Sequence, residues 1–183
     1  MEEQIMNMPA VALRGLSILP GMIAHFDISR ERSLRAVEEA MEQDQKIYLV
    51  TQRNVDSEDP TQEDLYQMGI VADIKQVVRL QNDVVRILVD GISRAALLGF
   101  TGNEKYLEAE ICYCDSNADS LPEELREAML LGVREAFHRY AAVVGKISKE
   151  LIRQIDQYED LEKLIDYVTN NLPVSYELKQ QVL

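Results

Sequence analysis

The sequence predicts an α+β fold, in which a β-rich first part forms a small, partly open barrel and a wholly helical part follows. Three observations predict it. From Pro9 to Cys114 the chain is a series of short β-rich runs separated by turn residues. Inside that region lies a single helical signal, and after a polar run, Asp115-Ser116-Asn117-Ala118-Asp119-Ser120, every periodic segment repeats at three or four residues. Strand-rich segments with one helix laid across an end are the pattern of a small barrel, and the switch of period marks a second part.

The candidate strands are residues 11–13, 23–28, 47–51, 70–80, 84–89, 95–100 and 107–113. In Val71-Ala72-Asp73-Ile74-Lys75-Gln76-Val77-Val78-Arg79-Leu80 and in Leu107-Glu108-Ala109-Glu110-Ile111, polar and apolar residues trade places at period two. Half-buried antiparallel strands require that alternation. Gln81-Asn82-Asp83 joins two runs as a hairpin turn, because Asn and Asp enter the left-handed region more readily than other residues with side chains. A helix of about three turns is expected after Ser29 as its cap, with Glu31 in its first turn and Leu34, Val37, Ala40 and Met41 on one face.

The helical part opens on a capping box, Ser120-x-x-Glu123, with Pro122 in the first turn. Leu125, Met129, Ala136, Phe137, Tyr140 and Val144 predict one long amphipathic helix that yields near Gly145. A short helix is expected after Ser148. Asp160 starts another, with Leu161, Leu164, Ile165, Val168 and Leu172 on one face, and Pro173 stops it. Ser175 caps a last helix that is about two turns long when the sequence ends at Leu183, so the chain is expected to be a domain cut from a longer polypeptide.

Composition bounds the function. A chain of 183 residues with 46% hydrophobic and 28% charged residues can bury a sizeable core. The net charge is −13, and the acidity is spread: residues 1–115 hold 11 Lys and Arg against 20 Asp and Glu, and the remainder 8 against 12. Phosphate backbones and anionic membranes are bound by clustered cations, so the expected partners are proteins or small molecules, with no nucleic acid and no membrane. Cys112 and Cys114 are too few for a disulfide framework, the first residues are acidic where a signal peptide is basic, and no apolar run approaches a bilayer span. A cytoplasmic location is expected.

No catalytic, cofactor or metal site is expected in these residues. The eight glycines form neither G-x-x-x-x-G-K-[ST] nor G-x-G-x-x-G, so no phosphate loop is present. His25 and His138 lack neighbouring ligands at metal spacing, and Cys112-x-Cys114 is read as a pair of ordinary strand cysteines. Ser17, Ser29 and Ser33 sit in no nucleophile elbow and are read as caps and turn residues. Acidic pairs such as Glu38-Glu39, Glu58-Asp59 and Glu123-Glu124 are read as solvated faces. What remains is surface for partners: Met6, Met8, Met22, Met41 and Met68, whose commoner use is core filling, and the long acidic loop 53–62.

Read in order from Ala12-Leu13-Arg14-Gly15 to Asn171-Leu172-Pro173-Val174, the residues resemble the N-terminal, substrate-binding domain of bacterial Lon (La) ATP-dependent proteases over nearly the whole chain. The resemblance is carried by Ala12-Leu13-Arg14-Gly15-Leu16-Ser17-Ile18-Leu19-Pro20-Gly21-Met22 and Phe26-Asp27-Ile28-Ser29-Arg30-Glu31-Arg32-Ser33. It continues through Glu58-Asp59-Pro60, Asp64-Leu65-Tyr66, Gly69-Ile70-Val71-Ala72 and the strand-turn-strand signature Val85-Arg86-Ile87-Leu88-Val89-Asp90-Gly91-Ile92-Ser93-Arg94. Asn171-Leu172-Pro173-Val174 and Lys179-Gln180 complete it. Leu13, Arg14, Gly15, Pro20, Gly21, Gly69, Gly91, Arg94 and Pro173 are the matched positions with a structural reading. Gly21 and Gly91 would supply turn conformations, Pro20 would fix a turn, and Arg14 and Arg94 would tie strands or caps.

This resemblance implies a PUA-like β pseudobarrel over residues 5–115 and a helical subdomain over 119–183, leading toward a long helix and an ATPase module. It implies a homohexameric parent that is an ATP-dependent serine endopeptidase with a Ser-Lys dyad, and that uses ATP and Mg outside this fragment. The fragment itself would recognise misfolded or tagged polypeptides in protein quality control, aid their delivery to the unfolding and proteolytic modules, and support oligomer assembly. Substrate contact is expected in a crevice between barrel and helices and at loop 53–62. The rival readings are a stand-alone Lon-like ligand or adaptor domain and a PUA-like RNA-binding module, the latter opposed by charge.

Overall fold

The computed structural model describes residues 5–114 and 118–183. The chain divides into two compact units, one of Met1–Cys114 with Val174–Leu183 and one of Asp115–Pro173. The first holds six strands, β1 (Ile5–Leu13), β2 (Ile23–Ile28), β3 (Lys46–Thr51), β4 (Met68–Arg79), β5 (Val85–Phe100) and β6 (Glu108–Tyr113). Helix α1 (Glu31–Glu42) stands between β2 and β3.

Strand order is β2-β5-β4-β3-β1-β6, and β6 pairs with β5 as well as β1. Five strands therefore close into a ring, and β2 is added outside it. All pairings are antiparallel except β1–β3, which are parallel. A parallel pair needs a crossover, and the β2–α1 segment provides it.

Ring strands β1 and β3 are buried on both faces. Val11, Leu13, Ile47 and Leu49 join Ala36, Val37 and Ala40 of α1 in one core. Met8, Ala10, Ala12, Tyr48 and Val50 join Val71, Ala95, Leu97, Ala109 and Ile111 in a second core, drawn from all five ring strands. This is why both strands read as continuous apolar runs instead of alternating.

Several expectations are corrected here. Strand β1 begins at Ile5, six residues before the expected start, because Ile5 to Pro9 pair with β6. The runs 84–89 and 95–100, expected as two strands, are joined in the single β5, which begins at Val85 and whose pairing with β4 shifts register at Val71/Ala72 and at Ile74/Gln76. Gly91, expected in a turn, thus lies inside a strand. Its role is close approach: a Cβ there would run into the carbonyl oxygen of Leu19. Ser29 does not cap α1; the cap position is Arg30, with no side-chain cap bond, and the buried face is Ser33, Ala36, Val37 and Ala40, leaving Met41 exposed. The hairpin turn is as expected: Asn82 and Asp83 have φ of 59° and 57°, and Leu80 N donates to Val84 O at 2.8 Å.

The second unit holds α2 (Glu123–Val144), α3 (Lys149–Gln157) and α4 (Leu161–Asn171). Its core is Leu130, Phe137, Ala141, Ile155, Leu161 and Leu164. Ser120 is not the cap residue of α2: Pro122 takes the cap position and α2 starts at Glu123. The buried face of α2 is correspondingly Leu130, Phe137 and Ala141, while Leu125 and Met129 are exposed. Gly145 ends α2 with φ of 65°, and Ser148 and Asp160 cap α3 and α4 by accepting from Leu151 N and Lys163 N. The polar run's first residues, 115–117, lie outside the described residues.

Helix α5 (Tyr176–Val182), capped by Ser175, was expected with the other helices but packs in the β unit. Its buried Gln180 donates to Met68 O at 2.8 Å and accepts from Ser17 Oγ at 3.2 Å. Arg94 closes its other end by donating to the carbonyls of Leu183 at 2.9 Å and Val182 at 3.3 Å.

Candidate functional site

Loop 53–62, expected from its composition to be a flexible contact element or a plain connection, is pinned at its centre. Three side chains donate to one carbonyl, that of Ser57: Arg14 Nη2 at 2.9 Å, Gln52 Nε2 at 3.1 Å and Arg30 Nη2 at 3.4 Å. Arg30 also donates to Gln52 Oε1 at 2.9 Å, and Gln52 is fully buried. Arg32 holds Asp59 at 3.2 Å. At the far end Thr61 and Asp64 form a capping box for a short 3-10 turn, Gln62–Asp64.

The pinned loop flanks an open groove of about 500 Å³ lined by Arg53, Gln62, Leu65, Tyr66, Gln67 and Leu98, among others. Arg53 lies over the Tyr66 ring, 4.9 Å from its centroid, and its Nε donates to Leu65 O at 2.9 Å. Gln62 Nε2 donates to Leu98 O at 3.1 Å. Leu98 is 44% exposed and Val55, in the loop, 38%. The groove thus combines apolar and aromatic surface with amide donors and acceptors on fixed elements, which suits an extended peptide. A second apolar exposure is the β4–β5 hairpin, where Val77, Val78 and Leu80 face solvent, residues 75–79 of β4 and the turn residue Leu80 all being exposed.

Of the residues singled out in the sequence, Arg14 is the one that reaches this site. Leu13 is buried at the end of β1, and Gly15 beside it has φ of 63°. Pro20 and Gly21 make the turn before β2, where Gly21 N donates to Gly91 O at 2.8 Å. Gly69 lets Tyr48 and the Leu49 backbone approach, since a Cβ would come within 2.5 Å of Tyr48 Oη. Arg94 caps α5, and Pro173 belongs to the helical unit. The reading missed Arg30, Gln52, Tyr66 and Leu98. Arg30 and Tyr66 stand inside quoted segments, but nothing in one sequence says that Arg14 and Arg30 share an acceptor 43 and 27 positions away.

Chemistry of other kinds finds little to build on. Among the described residues no three His, Cys, Asp or Glu side chains converge as metal ligands, and no helix is long and apolar enough to cross a membrane. His138 meets Asp156 at 2.8 Å on the helical unit's surface, and His25 lies exposed on β2.

A model of the ATP-dependent protease La (LON) substrate-binding domain matches residues 7–183. The chain belongs to the Lon substrate-binding domain family. Its Lon relatives include the Lon protease of Lachnoclostridium phytofermentans, 36% identical over 183 residues, and that of Clostridioides difficile, 35% identical over 180 residues. These alignments cover 100% and 97% of this chain and 23% of each relative, so the chain spans about a quarter of the Lon proteases it matches. Lon protease 1 of Bacillus subtilis is 30% identical over 184 residues.

Among solved structures, the N-terminal domain of a Mycobacterium avium complex Lon protease superposes with a TM-score of 0.76 at 17% identity, covering 96% of this chain and 88% of that one. A Lon N-terminal domain protein from Xanthomonas campestris gives a TM-score of 0.53. At such identity these similarities establish the shared α+β fold.

Proposed function

We propose that this chain is the non-catalytic substrate-recognition domain of an ATP-dependent Lon serine protease, and that it captures misfolded or tagged polypeptides at the groove beside loop 53–62. The observation that carries the reading is the juxtaposition of exposed Leu98 with Tyr66 and with Gln62 and Gln67 along that groove, in a chain of the Lon substrate-binding family. Apolar and aromatic surface rewards the side chains that an unfolded polypeptide exposes, and amides at the rim meet its backbone.

Affinity at one such groove is weak, because binding an unfolded segment costs its ordering entropy. A parent with six copies in a ring makes weak capture effective, since each later contact forms at high local concentration. Self-association, a cytoplasmic location and a PUA-like kinship of the barrel belong to the same reading. ATP and Mg would act in the remainder of the parent, because no phosphate loop exists in these residues.

A photo-crosslinker placed at Leu98 or Val55 tests the site. With a permanently unfolded model protein, labelling is expected from both positions and not from exposed Glu42 on α1. Labelling from Glu42 alone would place capture elsewhere.

A further inference from the structure

Beside the loop, on the Arg14 side, is a smaller cleft of about 170 Å³ whose lining includes Leu13, Arg14, Leu16, Phe26, Ser29 and Arg30. Its walls are of two kinds. Leu13 is buried, and Leu16 and Phe26 are half-buried against the core under α1. Arg14 and Arg30 supply two guanidiniums, and α1, of 12 residues, begins at the residue after Arg30, so its positive end faces the same region.

The two guanidiniums are bonded to neutral acceptors. Both guanidiniums converge on the neutral Ser57 carbonyl, and among the described residues neither has a carboxylate within ion-pair distance. Of the acidic neighbours, Asp27 in the cleft lining is held by Arg86 at 2.7 and 2.9 Å, Asp59 by Arg32, and Glu31 by Arg35 at 2.5 Å, while Glu58 acts on Arg30 through its charge alone. The Arg30 guanidinium is held below the ordinary arginine range, first by burial and then by the charge of Arg14, against the opposing charges of Asp59 and Glu58. Each arginine has five N–H donors and uses only Nη2 in these bonds, which leaves Nε and Nη1 of both for an incoming acceptor.

We propose that the cleft between Arg14 and Arg30 binds the α-carboxylate of a polypeptide C-terminus that ends in an apolar residue. The guanidinium forks match a planar carboxylate, and Leu13, Leu16 and Phe26 receive the terminal side chain. A bare inorganic anion would use the forks and leave the apolar wall uncovered. The inference rests on the reading that this domain engages polypeptides, and it adds an end-recognition site to the groove that receives internal segments.

Calorimetric titration of the whole chain tests it with a short peptide ending in leucine, as free acid and as C-terminal amide, and with inorganic phosphate. Binding of the free acid is expected, with about tenfold loss on amidation, the size expected when a charge-assisted bond is removed. Arg14→Gln should weaken the free acid about tenfold and leave the amide unchanged, while Arg14→Lys, which keeps the charge and loses the fork, should fall between. A melting curve of each variant guards against loss of the loop. Equal binding of acid and amide overturns the proposal, as does phosphate binding more tightly than the peptide. If the peptide acid binds here while an unfolded protein with a blocked C-terminus does not bind at all, the groove reading fails and this one stands. The reverse result separates them the other way.

Discussion

Gln180 of α5 and Ser17 of the loop after β1 are 163 positions apart and share a buried hydrogen bond of 3.2 Å. Ser17 Oγ also lies 3.0 Å from Thr51 Oγ1, which donates to Leu16 O at 2.9 Å. Gln180 completes the set by donating to Met68 O at 2.8 Å. One amide thereby satisfies a strand carbonyl and a hydroxyl that α5 has removed from water. Replacing Gln180 with Leu is expected to cost about 1–3 kcal/mol, the penalty for buried polar groups left without partners. Thermal melting measures the loss, and amides of α5 should lose exchange protection before those of β3.

Two glycine substitutions should act with opposite sign. At Gly91 a methyl group meets the Leu19 backbone, which cannot rotate away, so Gly91→Ala is expected to destabilise by about 1–3 kcal/mol. Gly132, inside α2, has nothing within 4 Å of an added Cβ, so Gly132→Ala should stabilise by about 0.5–1 kcal/mol. Denaturant melts of both variants check the pair.

Tyr48 is fully buried and donates to Ala95 O at 3.1 Å. Burial pushes its phenol well above the ordinary value of 10.0. A raised folded-state pKa means that its stabilising contribution is complete below pH 10 and is lost as the pH climbs toward the folded value. Tyr48→Phe should cost about 1 kcal/mol at neutral pH, from the unpartnered carbonyl, and should flatten the fall in stability above pH 10. Melting temperatures of both proteins across neutral and alkaline pH test this.

Much of this architecture was legible because it is local. The hairpin at Asn82 and Asp83, the caps Ser148, Asp160 and Ser175, and the stop at Gly145 each follow from one residue's conformational or hydrogen-bonding preference. What stayed hidden is long-range. Strand β1 was cut short because Ile5, Met6 and Asn7 are exposed and are held only by pairing with the distant β6, and β5 was split because its register shifts against β4 occur within one continuous strand. Ser120 lost the cap position to Pro122, whose fixed φ stands immediately before the helix. Helix α5 looked like its three predecessors, and contacts distant in sequence, to Ser17, Met68 and Arg94 and of Leu183 with the core under α1, place it with the sheet. Loop 53–62 was named as a place for substrate contact, but Tyr66 and Leu98 beside it were not, since they come from separate elements.

The central claim is that this domain captures unfolded polypeptide at the groove beside loop 53–62. Fluorescence anisotropy of a labelled, permanently unfolded polypeptide, titrated with the wild-type chain and with Leu98→Glu, tests it most directly. The wild type should bind the unfolded form and ignore its folded counterpart, and Leu98→Glu should weaken binding about tenfold with an unchanged melting temperature, since a charge replaces an exposed apolar anchor. Equal binding by the two proteins, or none by the wild type at any concentration it tolerates, would contradict the account.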